Sequence, residues 1–196
     1  LPRLAQRRPR GQAAFRELGA ADALGEIEAK LGLPMVVKPA RGGSALGIRL
    51  AHEPGEVPGA LMAALAYDDR LMLEHYVVGR ELAVSIIGND DAEALPIVEA
   101  IPLGREFYDF ESRYTPGATD LRAPADLHAG VAEEVAGIAL DCYSSLGCRG
   151  FARVDLILDA DDKPWGLELN TIPGLTDTSA VPKAAEAAGM SFDDFI

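Results

Sequence analysis

The chain has 196 residues, 31 acidic against 18 basic side chains and a formal net charge of −13, so it is long enough for one substantial core or two small lobes. The acidic surplus argues against a nucleic-acid partner, because phosphate backbones are bound by an excess of Lys and Arg. Two cysteines without CxxC spacing predict neither a disulfide framework nor a zinc site. The sequence also lacks a signal-peptide pattern and an apolar run of ~18 residues, which predicts a soluble, cytoplasmic protein.

The first elements predicted along the chain are a connector, a helix and a short strand. Residues 1–11 carry four Arg among prolines, a composition typical of a connector. Apolar residues recur at helical spacing over 20–31, and Gly32 then ends the helix. The apolar run 35–38 predicts a strand that ends in Lys38.

A glycine-rich loop follows that strand. Residues 39–47 read PARGGSALG, and a second strand is predicted near 48–50. Strand, glycine loop and strand together are typical of a cover over phosphate, because glycines let backbone N–H groups approach the oxygens and a nearby Lys adds charge. No Gly-Lys-Ser/Thr follows and no helix begins there, so this is not a Walker motif. An ordinary hairpin turn is the alternative interpretation.

The middle of the chain predicts one helix, several strands and a long loop. The predicted elements are a helix at 57–67 and strands at 71–74, 81–87 and 94–99, with a crossing between lobes at 75–79. Residues 107–116 (FYDFESRYTP) follow no single period. A long segment of this kind is usually functional or disordered.

The last third predicts a helix over 125–146 and then a hairpin, RVDLILDADDKPWGLELN, closed over 160–163. Strand side chains alternate between faces. The alternation predicts a polar face and an apolar face, with Arg153, Asp155, Glu168 and Asn170 on the first and Val154, Leu156, Leu158, Trp165, Leu167 and Leu169 on the second. A helix at 181–189 and the start of another at 190–196 end the chain.

The polar face of the hairpin is a candidate metal site. Two carboxylates and an amide oxygen close together repel each other unless a cation lies among them, and hard oxygen ligands suit Mg²⁺ or Mn²⁺. A neighbouring Arg suits a metal that carries phosphate. The alternative is a hairpin with one solvated face, where acidic residues are ordinary. The Pro-Gly turn directly after the second strand favours the site, because it aims a backbone loop at these residues.

These residues resemble a known family. The segments RVD at 153–155, ELNTIPG at 168–174 and TDTSAVP at 176–182 resemble the C-terminal signature of D-alanine:D-alanine ligases of the ATP-grasp superfamily, and the match extends from about Gly32 to Met190. The resemblance implies an α+β ATP-grasp fold whose two lobes clasp a nucleotide. It implies a connector and helix at 1–34, a small lobe with the phosphate loop at 35–76, and a large lobe with the substrate loop and metal site at 77–196.

The resemblance also implies a role for each candidate residue. ATP is expected to contact Lys38, Gly42, Gly43, Ser44, Glu74, His75, Tyr76, Val77, Glu81 and Tyr108. Two Mg²⁺ or Mn²⁺ ions are expected on Asp155, Glu168 and Asn170, and the substrate on Ser179 and Ala180. Catalytic roles are expected for Arg153, Ser44, Tyr114, Arg113 and Gly174. Without the resemblance, Glu81 would be a solvated strand residue.

Two positions in the substrate loop bear on specificity. Arg113 stands where the family usually has Lys, and the two cations differ in shape and donor geometry. The residue matching Tyr114 is typically His in members of the family that make D-alanyl-D-lactate. Because a Tyr is neutral near pH 7, the sequence predicts that D-alanine is preferred to D-lactate as second substrate.

The implied reaction joins two D-alanines at the expense of ATP, through an acylphosphate, for peptidoglycan precursor synthesis by a homodimer. Members of the family begin with an N-terminal preATP-grasp domain that this sequence lacks, so we expect a C-terminal fragment, a partly resolved enzyme or one piece of a complex that could be inactive alone. The alternatives are another ATP-grasp carboxylate–amine ligase and a non-catalytic nucleotide-binding module.

Overall fold

The computed structural model describes residues 20–104, 110–115, 117–176 and 178–195. Within these ranges the chain forms two compact units that meet in sequence between Val77 and Val78. Both units combine helices with antiparallel strands, which confirms the predicted α+β class. None of the helices in these ranges is long and apolar enough to cross a membrane.

The first unit is a three-stranded sheet covered by a helix. Its elements are α1 (Ala20–Leu31), β1 (Met35–Pro39), β2 (Arg49–Ala51), a 3₁₀ turn (Pro54–Glu56), α2 (Val57–Leu65) and β3 (Leu71–His75). The strands are antiparallel in the order β2-β1-β3. Met35 and Val37 alternate on the inner face of β1 and pack with Ala51, Ala60 and Ala64. Small residues on α2 therefore let the helix lie close to the sheet.

The second unit is built on a larger antiparallel sheet. Its strands are β4 (Gly79–Gly88), β5 (Glu93–Ala94), β6 (Val98–Pro102), β7 (Thr119–Arg122), β8 (Gly150–Asp159) and β9 (Pro164–Asn170). Its helices are α3 (Phe110–Tyr114), α4 (Ala129–Ser145), α5 (Ala180–Ala187) and α6 (Phe192–Phe195). The strand order is β7-β6-β4-β8-β9, and β5 pairs with β4.

The two faces of this sheet are covered differently. On one face Val135, Ala139 and Tyr143 of α4 are buried against β4 and β8. The buried Tyr143 hydroxyl donates a hydrogen bond of 2.8 Å to the Gly88 carbonyl, which satisfies the polar end of an otherwise apolar contact. On the other face α5 packs mainly against β4 and β6. The β8–β9 end of that face is where the polar side chains lie.

Most predicted elements are confirmed, and two segments differ. The strand predicted over 94–99 is split into β5 and β6, because Pro96 has no N–H to donate to a ladder. The segment 107–116 includes the five-residue helix α3, which is too short to produce a recognisable helical period. Residues 105–109 and 116 lie outside the described part of the chain.

Candidate functional site

The register of the second unit's sheet collects several candidate residues on one face. On β9, Asn170 lies opposite Arg153 and Glu168 opposite Asp155. On the other side of β8, Glu81 of β4 lies opposite Ile157, two residues from Asp155. Directly opposed residues share a face. The four hairpin residues therefore share a face as their alternation predicts, and Glu81 joins them.

Direct contacts connect the four hairpin side chains. Arg153 donates to both oxygens of Asp155, from Nε to Oδ1 at 2.6 Å and from Nη2 to Oδ2 at 2.8 Å. The Asn170 amide donates to Asp155 Oδ2 at 3.2 Å and to Glu168 Oε1 at 3.3 Å. The side chains of Arg153 and Asp155 are only 13% and 12% exposed. The alternative interpretation of a solvated face therefore does not hold for this pair.

The donor set suits a hard cation. Two carboxylates and an amide meet within hydrogen-bond distance, and oxygens of these kinds are the ligands that Mg²⁺ uses. In the described ranges no three His, Cys, Asp or Glu side chains are grouped as a metal site, so a site here depends on Asn170 as its third donor. A cation bound here would compete with Arg153 for the oxygens of Asp155.

The alternation predicted for β9 is wrong at its centre. Leu167 is an extra residue between the pairs that Glu168 and Gly166 make with β8. One extra residue moves every side chain beyond it to the opposite face. Trp165 consequently lies opposite Ile157, on the polar face, whereas the sequence predicts it on the apolar one. Leu167 itself is 44% exposed.

The start of α5 brings two further candidates together. Ser179 is the N-cap of α5, and its hydroxyl lies 2.9 Å from Thr176 Oγ1 without making a cap hydrogen bond to the helix. A Cβ built on Gly174 would come 2.9 Å from Ser179 Oγ. Because glycine has no side chain, the Gly174 backbone can lie close to Ser179. Ala180 is the first residue of the helix, whose N-terminal N–H groups carry partial positive charge.

The described part of the substrate loop borders a cavity of about 220 Å³. The residues that line it include Arg113, Lys183, Ser112, Thr119 and Thr178. Two cations and several hydroxyls suit a small molecule that carries a carboxylate. The predictions for Tyr108 and for the side chain of Tyr114 lie outside the described residues.

In the first unit, Lys38 is held across the sheet. Its Nζ lies 2.6 Å from Glu74 Oε2, and the two side chains are 23% and 35% exposed. Lys38 lies opposite Met72, and Glu74 lies opposite Val36, so the ion pair is diagonal between β1 and β3. The pair fixes the direction of the lysine amine while leaving part of it accessible.

The glycine loop between β1 and β2 has an unusual backbone. Left-handed φ angles occur at Gly42 (123°), Gly47 (78°) and also at Ser44 (57°) and Ala45 (58°). A non-glycine residue in this region costs about 1 kcal/mol or more. Two such residues in succession are typical of a loop whose conformation is maintained for function.

The segment after β3 is tied to the end of α1. The Tyr76 N–H donates to the Pro34 carbonyl at 3.1 Å, and His75 Nδ1 lies 3.1 Å from the Leu31 carbonyl oxygen. The Tyr76 amide is therefore engaged inside the unit, which excludes it as a donor to an adenine edge in this conformation. Val77 is the last residue of the unit.

Sequence reasoning missed two ion pairs. Arg41 binds Asp68 beside the glycine loop, and Arg80 binds Glu99 between β4 and β6. The partners are far apart in sequence, so no local spacing marks them. The predicted pairing of strands 81–87 and 94–99 is the one signal that could have brought Glu99 towards Arg80.

The chain matches the family model described as D-ala D-ala ligase C-terminus over residues 12–196. It is 39% identical over 186 residues to the D-alanine–D-alanine ligase of Gloeobacter violaceus, covering 93% of this chain and 61% of that protein. It is 43% identical over 185 residues to the D-alanine–D-alanine ligase of Desulforudis audaxviator, covering 93% and 60%. The chain thus spans about 60% of the length of these curated relatives.

Solved structures show the same similarity. The VanG D-Ala:D-Ser ligase from Enterococcus faecalis superposes with a TM-score of 0.78 at 31% identity, over 89% of this chain and 51% of that one. The D-alanine–D-alanine ligase from Bacillus anthracis complexed with ATP superposes with a TM-score of 0.67 at 31% identity, over 87% and 50%.

Proposed function

The chain belongs to the family of D-alanine–D-alanine ligase C-terminal regions, and from that premise we propose that it supplies the nucleotide, metal and oxyanion groups for ATP-dependent joining of two D-alanines. The observation that carries the proposal is the buried fork between Arg153 and Asp155 beside Glu168 and Asn170. This arrangement combines metal ligands with a cation that suits an oxyanion. The product would serve peptidoglycan precursor synthesis.

The proposed role of the first unit is to bind the nucleotide. Lys38, held by Glu74 at 2.6 Å, neutralises phosphate oxygens as a compact point charge. Backbone N–H groups of the glycine loop, Gly42 to Ser44, cover the same oxygens. In the segment from Glu74 to Val77, backbone groups other than the Tyr76 N–H receive the adenine. Glu81 in the second unit accepts hydrogen bonds from the ribose hydroxyls.

The proposed metal ligands are Asp155, Glu168 and Asn170, with Glu168 shared between two ions. Bound Mg²⁺ would neutralise charge on the phosphate oxygens during transfer. The Asn170 amide fits this role because rotation of the side-chain amide presents its oxygen in place of its nitrogen. The exposed carboxylate of Glu168 is reachable from solvent.

The chemistry proceeds in two balanced steps. The γ-phosphoryl group of ATP moves to a carboxylate oxygen of the first D-alanine, and ADP leaves. The amine nitrogen of the second D-alanine then attacks the acyl carbon, phosphate leaves with the C–O bonding electrons, and the nitrogen loses a proton. Arg153 and the Gly174 N–H stabilise the tetrahedral oxyanion between attack and departure.

The second substrate is proposed to bind at the start of α5. Ser179 and the first N–H groups of the helix, beginning at Ala180, receive its carboxylate, since helix N-termini favour anions. Arg113 and Tyr114 close the substrate loop over the reacting groups, with Ser44 at the substrate end of the glycine loop. A homodimer is part of the same proposal.

A D-serine acceptor is the second candidate, because a D-Ala:D-Ser ligase superposes with a TM-score of 0.78. The deciding experiment gives a complete ligase that contains this region D-alanine with an equal amount of D-serine or D-lactate, and it measures ADP, phosphate and each dipeptide or depsipeptide. We expect D-alanyl-D-alanine to dominate at pH 7. Mostly D-alanyl-D-serine would favour the second candidate, and ADP release that does not depend on any D-amino acid would contradict both.

A further inference from the structure

One four-residue segment, Tyr67 to Arg70, contacts both ends of the glycine loop in the first unit. The segment follows α2 and leads into β3. Its contacts with the start of the loop are hydrogen bonds, and its contact with the end of the loop is the packing of a ring against glycine. None of these residues belongs to the predicted nucleotide site.

Asp68 holds Arg41, near the start of the loop, by its backbone and its side chain together. Its Oδ2 accepts from the Arg41 backbone N–H at 2.8 Å and from Arg41 Nε at 3.1 Å, while Oδ1 accepts from Arg41 Nη2. The Arg70 N–H also donates to Oδ1 at 3.1 Å. The Ala40 N–H donates to the Arg70 carbonyl at 2.8 Å. The chain is therefore fixed directly before Gly42.

Burial and charge make Asp68 the centre of this arrangement. Its side chain is 3% exposed, whereas that of Arg41 is 67% exposed. The hydrogen bonds from the Arg41 guanidinium hold the pKa of the Asp68 carboxyl well below its usual range. The charged form of the carboxylate is therefore favoured, which strengthens its hydrogen bonds to Arg41.

Gly47, at the far end of the loop, packs against Tyr67, the residue that precedes Asp68. A Cβ built on Gly47 would come within 2.6 Å of Tyr67 Cδ2 and 3.0 Å of Pro39 Cγ, so only glycine lets the backbone lie against the ring. Gly47 also has a φ of 78°, which favours glycine independently. The strained residues Ser44 and Ala45 thus lie between two fixed ends.

We propose that Asp68 is a positioning residue that acts through Arg41 to hold the glycine loop in its phosphate-binding conformation, and so sets the affinity for the phosphates of a nucleotide. The inference rests on the proposed function, because it assumes that the loop covers phosphate. The new element is that Asp68, which lies outside the loop, maintains the loop conformation. A strained backbone persists only where its surroundings over-determine it, and the three hydrogen bonds between Arg41 and Asp68 supply such a constraint.

The test compares Mg-ATP with adenosine as ligands of the 196-residue chain. Asp68→Asn should weaken Mg-ATP binding on the order of tenfold, the size usual for loss of a positioning contact, and leave adenosine binding unchanged. Arg41→Ala should have the same effect, and the double variant should be no weaker than either single one. Asp69→Asn is the matched control, since Asp69 contacts the same guanidinium but is 79% exposed; we expect no more than a twofold change, as for other surface ion pairs.

An equal loss of ATP and adenosine affinity in Asp68→Asn would indicate general damage to the unit and overturn the inference, as would a folded variant with unchanged ATP affinity. If Asp68→Asn does not fold, Asp68→Glu is measured instead, with a smaller loss for ATP alone expected, because charge is kept and the fork is displaced. If the wild-type chain bound adenosine and ATP with equal affinity, the loop would not bind phosphate, and the proposed function would be contradicted as well.

Discussion

Each carboxylate that is buried in the described chain is held by one arginine through the same fork of Nε and Nη2. The pairs are Asp68 with Arg41, Glu99 with Arg80 and Asp155 with Arg153. A buried charge is tolerated only when it is paired and hydrogen-bonded, and the planar guanidinium satisfies both carboxylate oxygens at once. Two of these forks belong to proposed sites. The third fork, between Arg80 and Glu99, lies on the face of the sheet opposite to Glu81 and Asp155, so we interpret its role as structural.

The structural fork gives a prediction for stability. Arg80 donates to Glu99 at 2.8 and 2.7 Å and to the Asp126 carbonyl at 2.9 Å. Arg80→Met would leave the Glu99 carboxylate buried without its cation, and we expect the free energy of unfolding to fall by about 2 to 3 kcal/mol. The double variant Arg80→Met/Glu99→Leu should recover part of that loss, because no charge stays buried. Urea denaturation measures both values.

The control for this fork is a surface ion pair. Arg149 and Asp90 lie 3.4 Å apart with side chains 66% and 89% exposed, so Arg149→Met should change the free energy of unfolding by no more than about 0.5 kcal/mol. If the double variant were less stable than Arg80→Met alone, the fork would be worth more than the desolvation that it requires, contrary to this account.

At the scale of the element, one feature of the hairpin of β8 and β9 could be predicted from the sequence and another could not. Period-2 alternation predicts the shared face of Asp155 and Glu168, because the ladder is regular from the Arg153–Asn170 pair to the Asp155–Glu168 pair. It fails for Trp165, because the bulge at Leu167 leaves no mark in the sequence: leucine is ordinary in any strand. Bulges are settled by packing across the whole sheet, which a single strand does not encode.

The turn of this hairpin depends on Asp159. Its carboxylate accepts hydrogen bonds from Trp165 Nε1 at 2.8 Å and from the Asp161 and Lys163 N–H groups at 3.0 Å each. The bond from the indole, followed by those from the backbone, lowers the pKa of Asp159. A lowered pKa in the folded state means that the charged form stabilises the fold above the unfolded pKa, and that this contribution is lost as the pH falls through the folded pKa.

Asp159→Asn should therefore be destabilised relative to the wild type at neutral pH, and the difference should shrink at acidic pH. We expect the variant to have a lower urea midpoint than the wild type. The difference between the two midpoints should be constant from pH 8 down to about pH 5, and it should narrow below about pH 4, where an unperturbed Asp begins to protonate. Asp161→Asn, an exposed residue of the same turn, is the control and should show no such dependence. A gap between wild type and Asp159→Asn that persists unchanged at pH 3 would contradict the charge argument.

At the scale of the whole molecule, the sequence motifs predict the fold class through resemblance, but the order of strands does not follow from any local pattern. The pairing of β4 with β8 joins residues about seventy positions apart, and only the buried side chains on both faces of the sheet decide it. The end of helix α1 at Leu31 follows from the local spacing and from Gly32. The arginine forks do not, because they need that sheet to exist first.

The proposed metal site gives a prediction for how nucleotide binding changes the stability of the whole molecule. A ligand that binds only the folded chain raises the free energy of unfolding by about 2.7 kcal/mol at a concentration one hundred times its Kd. Mg-ATP at that concentration should therefore stabilise the wild-type chain by this amount, and removal of Mg²⁺ with a chelator should remove most of it. Thermal or urea unfolding with and without nucleotide measures the difference.

Glu168→Gln tests whether that stabilisation depends on the hairpin. Because Glu168 is exposed and Gln has the same shape, the unliganded stability should change by less than about 0.5 kcal/mol. A hundredfold weaker affinity would leave only about 0.4 kcal/mol of stabilisation at the same nucleotide concentration, and we expect a loss of this order because one of two carboxylate ligands is gone. Glu134→Gln on the exposed side of α4 should retain the full effect. If Glu168→Gln were folded and still stabilised by Mg-ATP as the wild type is, the metal would have to bind elsewhere, and the hairpin would be only a structural hairpin with a buried ion pair.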